Sequence, residues 1–166
     1  MYTQKSMDVA QVIADTPVFA DYQLLDKQYP DSKFIYLDRD IESWVRSVKS
    51  LLRQMSEPLI YNRGNFPEEV KRCYRAVFGE LTLENYQNDE YLRTCFSRHK
   101  QACLEYFKDR PESLLVIELA NDDDFPRVFK FVGYPSRAGA FPRFNAKGQV
   151  TDWDRVRSEL KISPGL

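Results

Sequence analysis

Arg39 and Ser47, eight residues apart, are the residues of this sequence best suited to bind an anion. Arg39 follows an apolar, β-rich run, 33–38, that predicts a strand. From Ile41 the apolar residues recur three or four apart, which predicts a helix. We therefore expect Arg39 to stand where a strand ends and a helix begins, beside free backbone N–H groups. A guanidinium in that place can grip a phosphate at two points.

The same residues allow a second interpretation. Asp40 suits the N-cap of the helix, and Ser47 lies two turns in, near enough to its start to help hold a ligand. An arginine at a strand end, however, often pairs with a carboxylate on the surface. Glu118 follows the second predicted strand, 114–117, at the same edge of the sheet. An Arg39–Glu118 ion pair is therefore the alternative to an anion site.

The elements that must position these residues follow from hydrophobic spacing and from helix start and stop signals. Strands alternate with helices, which indicates a parallel crossover unit. The predicted elements after the first strand and its helix are a loop over Ser56–Phe66, helices over Glu68–Phe78 and Asn88–Lys108, a strand over 114–117, and helices near Phe125–Phe131 and Asp152–Lys161. Before the first strand, Asp15 and Thr16 predict a helix start with Pro17 as its first residue.

Taken together, these stretches resemble a known family. Lys33–Ser47 resembles the 3′-phosphate-binding motif of sulfotransferases that use 3′-phosphoadenosine 5′-phosphosulfate (PAPS). In that motif a strand ends in Arg, a helix follows, and a Ser eight positions after the Arg joins it on the 3′-phosphate. Stretches 15–35 and 98–117 are similar to a bacterial-type branch of the family. The resemblance covers about residues 8 to 145.

The resemblance implies an α/β protein with the P-loop NTPase-like sulfotransferase fold, in which α-helices flank a small parallel sheet. We expect a single domain, 1–166. The family begins with a strand and a Gly-rich phosphate loop, whereas the six glycines here are scattered. We therefore expect a truncated fold without its N-terminal βα unit. The family's phosphate-loop strand would lie between the two predicted strands, and its loss would favour a homo-oligomer or a strand-swapped dimer.

Further site residues are implied by the same resemblance. A late loop of the family also holds the 3′-phosphate, and Lys147 matches part of it. The loop after the Arg-to-Ser motif lies beside the acceptor pocket, which makes Tyr61 and Arg63 candidate substrate contacts. In some sulfotransferases a His removes the acceptor's proton, so His99 is a candidate base. Ordinary surface roles for Tyr61 and Arg63, and a packing role for His99, remain the alternatives.

Other residues are better explained by structure than by chemistry. Cys73, Cys95 and Cys103 are odd in number and lack a CxxC spacing, so we interpret them as buried free thiols. The run Asp122–Asp124 contains three adjacent carboxylates, which suggests a metal site. We favour a solvated helix cap, which suits the helix dipole.

Composition excludes several classes of function. Lys and Arg number 24 against 25 Asp and Glu, so the net charge of −1 gives no support to binding nucleic acid or an anionic membrane. No apolar run approaches 18 residues, and the N-terminus is not basic followed by apolar. We expect a cytoplasmic protein whose partner is a small-molecule acceptor.

The implied function is transfer of a sulfuryl group from PAPS to a hydroxyl or amine. Arg39 and Ser47 would hold the nucleotide, which as product is adenosine 3′,5′-bisphosphate. Because the phosphosulfate loop is not found, the chain is expected to catalyse poorly or not at all. The alternative function is a non-catalytic nucleotide-binding or protein-interaction module derived from a sulfotransferase.

Overall fold

A computed structural model describes residues 4–64 and 66–142, which form a mixed α/β fold. These residues contain seven α-helices and two strands, and a 3-10 turn at Asn85–Gln87 precedes the longest helix. The elements in chain order are α1 (Gln4–Val9), α2 (Val18–Gln28), β1 (Phe34–Asp38), α3 (Ile41–Gln54), α4 (Ser56–Ile60), α5 (Glu68–Phe78), α6 (Asp89–Phe107), β2 (Leu114–Glu118) and α7 (Asp124–Val132).

Helix boundaries coincide with local capping signals. The carboxylate of Asp40 accepts a hydrogen bond from the N–H of Ser43 at 2.8 Å, and Asn88 caps α6 in the same way through Tyr91 at 3.1 Å. Helix α5 ends at Gly79, whose φ of 66° and ψ of −157° belong to a region that essentially only glycine adopts. The predicted cap of α3 and the predicted ends of α5 are confirmed.

The two strands pair directly with each other, in parallel. Phe34 faces Leu114, and the register runs to Asp38 opposite Glu118. The gap expected between them, where the family's missing strand would lie, is therefore closed by direct pairing of the two strands. Each strand is recognised by its own apolar run, but the neighbour of a strand is chosen by backbone hydrogen bonds, which leave no mark in the sequence of either strand.

Helices cover the two faces of this small sheet at different places. On one face the ring of Phe34 lies 5.0 Å from the ring of Phe107 in α6, centroid to centroid. On the other face Ile117 is buried, and α7 packs against β2. Ile35 and Leu37 on β1 remain 37% and 55% exposed. The start of β1 is tied to α7 by Lys33, whose ammonium donates to the carbonyl of Phe131.

The main core lies among the helices rather than on the sheet. Helices α3, α5 and α6 and the 3-10 turn meet in one cluster of buried residues: Val45, Val48, Leu52, Phe78, Tyr86, Leu92 and Cys95. All three cysteines are buried and free, as expected. Burial raises the pKa of each thiol, that of Cys103 to about 11, which keeps the thiols protonated at neutral pH.

Three local predictions need correction. Pro17 immediately precedes α2 instead of opening it. The loop predicted over Ser56–Phe66 begins with the five-residue helix α4. The predicted solvated cap is also wrong for Asp124, which is 4% exposed: its carboxylate accepts from the N–H of Glu118 at 2.7 Å and from Arg127. Asp124 thus joins the end of β2 to the start of α7. The predicted helix at 152–161 lies outside the described residues.

Asp26 anchors α2 to the segment between α6 and β2. From its contacts we expect the free energy of unfolding to depend on pH. Arg110 grips its carboxylate at 3.0 and 2.8 Å, and the hydroxyl of Tyr106 donates to it at 2.8 Å. The hydrogen bonds from Arg110, followed by that from Tyr106, hold the pKa of Asp26 below its ordinary value of 3.8. A carboxyl group with a depressed folded-state pKa stabilises the fold above its unfolded pKa. That contribution is lost as the pH falls through the folded value.

Asp26→Asn is therefore expected to lower the free energy of unfolding by about 2 kcal/mol at pH 7. The gap between wild type and variant should close as the pH falls below about 4. Urea unfolding at a series of pH values measures it. Asp31→Asn, an exposed site in the turn before β1, is the control and should change stability by no more than about 0.5 kcal/mol. A gap that stays constant down to pH 2 would contradict the assignment.

Candidate functional site

Arg39 stands at the carboxyl end of β1, one residue before the N-cap of α3. Its side chain turns towards the first turn of the helix, where Nη2 donates to the hydroxyl of Ser43 at 2.7 Å and lies 3.4 Å from the carbonyl oxygen of Ser43. Arg39 is exposed to solvent. The hydrogen bond fixes one side of the guanidinium and leaves its other N–H groups for a ligand.

The start of α3 adds donors beside this guanidinium. The first N–H groups of a helix have no partner within the helix, and the aligned peptide dipoles give this end a partial positive charge. Asp40 satisfies one of these groups through its bond to Ser43. The guanidinium and the helix terminus together provide positive charge and N–H donors in one place, which suits an anion.

The alternative prediction, an ion pair between Arg39 and Glu118, is wrong. Within residues 4–64 and 66–142, Arg39 makes no ion pair with a carboxylate, Glu118 included. The neighbouring carboxylate of Asp38 pairs instead with Lys100, 2.5 Å from Oδ2 to Nζ. The charge of Arg39 therefore has no counter-ion among these residues.

Ser43, which the sequence did not indicate as a site residue, is the hydrogen-bond partner of Arg39, and the predicted ligand Ser47 is not. Both serines lie on α3, four residues apart, so they share one side of the helix. In the described residues the hydrogen bonds of the Arg39 side chain both go to Ser43. Ser47 is exposed one turn farther on and stays a predicted ligand. The four-residue spacing from Arg39 was the signal that could have identified Ser43.

A buried polar group lies under the same end of β1. Oδ1 of Asp38 is buried and has no hydrogen-bond partner among the described residues, while Oδ2 binds Lys100. Burial, reinforced by the charge of Asp38, raises the pKa of Tyr36. Tyr36 therefore stays a neutral phenol at neutral pH. This arrangement ties β1 to α6 directly behind Arg39.

His99 lies in an aromatic cluster between α2, β1 and α6. Its Nε2 is 2.7 Å from the carbonyl oxygen of Phe19. Because a carbonyl oxygen only accepts, Nε2 carries the proton and donates it. The ring centroid lies 6.1 Å from that of Tyr22, edge to face, and 6.1 Å from that of Tyr36, stacked. The contacts are those of a packed histidine that joins three elements.

Tyr61 and Arg63 lie on the segment between α4 and α5. The guanidinium of Arg63 lies 5.4 Å from the centroid of the Tyr61 ring, and both residues are exposed. The segment is fastened by Lys71, only 5% exposed, whose ammonium donates to Asn62 and, at 2.7 Å, to Glu68. No hydrogen bond, ion pair or ring contact joins Tyr61 or Arg63 to Arg39 among the described residues.

Burial of Lys71 was not predicted, since a lysine on an amphipathic helix normally points to water. The remaining predicted ligand, Lys147, lies outside the described residues. No α-helix in the described ranges is both long and apolar enough to cross a bilayer.

Comparison with known proteins identifies the family. Residues 2–150 match the model of a family described as a sulfotransferase domain. Comparisons with curated proteins and with solved structures give no significant match. The matched range includes β1, α3 and β2, and so the whole of the arrangement around Arg39. Since the match spans most of the sequence, the chain belongs to the sulfotransferase domain family.

Proposed function

We propose that this chain binds the 3′-phosphate of PAPS, or of adenosine 3′,5′-bisphosphate, at Arg39 and the start of α3. Membership of the family supports sulfuryl transfer as the class of reaction. The observation that carries the nucleotide proposal is the guanidinium of Arg39. It is bonded to a hydroxyl at 2.7 Å and has no carboxylate partner among the described residues.

The donors present fit a phosphate. Phosphate oxygens accept hydrogen bonds and carry negative charge, and the site offers a guanidinium fork, the hydroxyls of Ser43 and Ser47, and helix N–H groups. Such a set of donors does not suit a metal cation. An exposed arginine already oriented by Ser43 also loses less side-chain entropy when it binds.

PAPS supplies the sulfuryl group when it is bound. The role of Arg39, Ser43 and Ser47 is to hold the nucleotide through a phosphate that is remote from the bond that breaks, so they act by positioning. Tyr61 and Arg63 are proposed contacts for a hydroxyl or amine acceptor. If His99 serves as the base, Nδ1 must take the proton, because Nε2 already donates to Phe19.

The test compares two nucleotides on the wild-type chain by calorimetric titration. Adenosine 3′,5′-bisphosphate should bind saturably, and adenosine 5′-phosphate at least about tenfold more weakly, because it lacks the group that Arg39 holds. Circular dichroism on the same sample establishes that it is folded. Equal affinity for the two nucleotides, or no heat from the folded chain with either, would contradict the proposal.

A further inference from the structure

Glu42 and Arg93 form a two-point ion pair between the first turn of α3 and helix α6. Nε of Arg93 lies 2.7 Å from Oε1 of Glu42, and Nη2 lies 2.8 Å from Oε2. Side-chain exposure is 32% for Arg93 and 49% for Glu42. This paired geometry is the strongest that a guanidinium and a carboxylate can adopt, and it fixes the position of both groups.

The position of Glu42 makes this pair relevant to anion binding. Glu42 is the second residue of α3, directly before Ser43 and three residues after Arg39. A carboxylate in the first turn is favourable for the helix itself, but it carries the same sign of charge as a phosphate bound there. The hydrogen bonds from Arg93 lower the pKa of Glu42, so the carboxylate stays ionised at neutral pH. Protonation therefore does not relieve the repulsion.

We propose that Arg93 is a positioning residue of the phosphate site: it holds Glu42 against α6 and offsets its charge, so that an anion can approach Arg39 and Ser43. Arg93 also lies 3.4 Å from Glu90 on its own helix, but its two short contacts are with Glu42. The inference rests on the proposed function, since it concerns the same site. In the described part of the chain no hydrogen bond joins Arg93 to Arg39, so Arg93 acts through Glu42. Sequence reasoning found no role for either residue, because 51 positions separate them.

A second ion pair between the same helices provides the control. Nζ of Lys49 lies 2.7 Å from Oδ1 of Asp89, so it also joins α3 to α6. Lys49 stands two turns into α3, away from the helix start. Lys49→Gln removes a single-contact ion pair between these helices and leaves the carboxylate of Asp89 unpaired, while Glu42 keeps its two-point pair with Arg93. It separates a general loosening of the two helices from an effect on the anion.

The experiment titrates adenosine 3′,5′-bisphosphate into wild type, Arg93→Gln, Glu42→Gln, the double variant and Lys49→Gln. Arg93→Gln should raise Kd by about three- to tenfold at low ionic strength, and less at high salt. The double variant should return to within about twofold of wild type, because the unpaired carboxylate is gone. Lys49→Gln should also bind within about twofold of wild type. Thermal unfolding establishes that each variant is folded.

Each contrary outcome is distinct. If wild type binds the nucleotide and Arg93→Gln has the same Kd, this inference is overturned and the proposed function stands. A double variant as weak as Arg93→Gln also overturns it, since the pair would then act as a mechanical clamp and not through charge. Equal weakening by Lys49→Gln overturns it as well. Absence of binding by folded wild type overturns the proposed function and this inference together.

Discussion

Arg39→Ala is expected to weaken the binding of adenosine 3′,5′-bisphosphate strongly. The substitution removes the guanidinium that β1 delivers to the start of α3, and with it charge-assisted hydrogen bonds worth about 1.5–3 kcal/mol. That range corresponds to a loss of affinity of about tenfold to 150-fold. Arg39 is exposed and its side chain bonds within the described residues only to Ser43, so the fold should be unaffected. Calorimetric titration of the variant beside wild type measures the loss.

Matched substitutions on the same helix make this result specific. Arg46 is an exposed arginine on the second turn of α3. The variant Arg46→Ala should retain most of the affinity for the nucleotide. Arg39→Lys keeps the charge but loses the fork, and it should bind with intermediate affinity. Ser43→Ala should weaken binding more than Ser47→Ala, because Ser43 orients the guanidinium. Undiminished binding by Arg39→Ala would remove Arg39 from the site.

Leu92→Ala is expected to lower the free energy of unfolding by about 3 kcal/mol, within a range of about 2–5 kcal/mol. Leu92 is completely buried, at the point where α6 meets α3, α5 and the 3-10 turn. Truncation leaves a cavity that these helices cannot close without moving together. The loss is large because, among residues 4–64 and 66–142, this cluster and not the two-stranded sheet contains most of the buried apolar side chains. Urea denaturation followed by circular dichroism measures it.

Leu104→Ala is the control for this core variant. Leu104 lies on the same helix, so the change in helix propensity is identical, but the side chain is 38% exposed. It should cost less than about 1 kcal/mol. Equal losses from the two substitutions would show that the cluster around Leu92 does not hold the helices together.

Local sequence was enough to predict both strands and most of the helices. Helix α5 begins after Pro67, because a proline disfavours extension of the helix towards the N-terminus. It ends at Gly79, because glycine readily adopts the backbone conformation that terminates a helix. The predicted helix over Asn88–Lys108 is observed as α6, with Asn88 as its cap. Asp40 likewise caps α3. Each of these signals acts within one or two turns, so the residues that decide it are adjacent in the chain.

The arrangement around Arg39 was predicted only in part. The change from strand to helix spacing placed Arg39 correctly at the carboxyl end of β1. Its partner was not predicted, because the rotamer of a long side chain depends on what surrounds it. The guanidinium donates a hydrogen bond to the hydroxyl of Ser43 at 2.7 Å and does not pair with Glu118. The role of Ser47 remains a prediction.

The sequence by itself determined where both strands and most of the longer helices lie, which residue caps α3, and that a cation stands at the end of β1. Only the tertiary structure decided that β1 pairs directly with β2, that Lys71 and Asp124 are buried, and that Arg93 reaches Glu42. The physical reason is the range of the interactions. Capping and hydrophobic spacing act between neighbours in the chain, whereas strand pairing and ion pairs join residues that only the completed fold brings together.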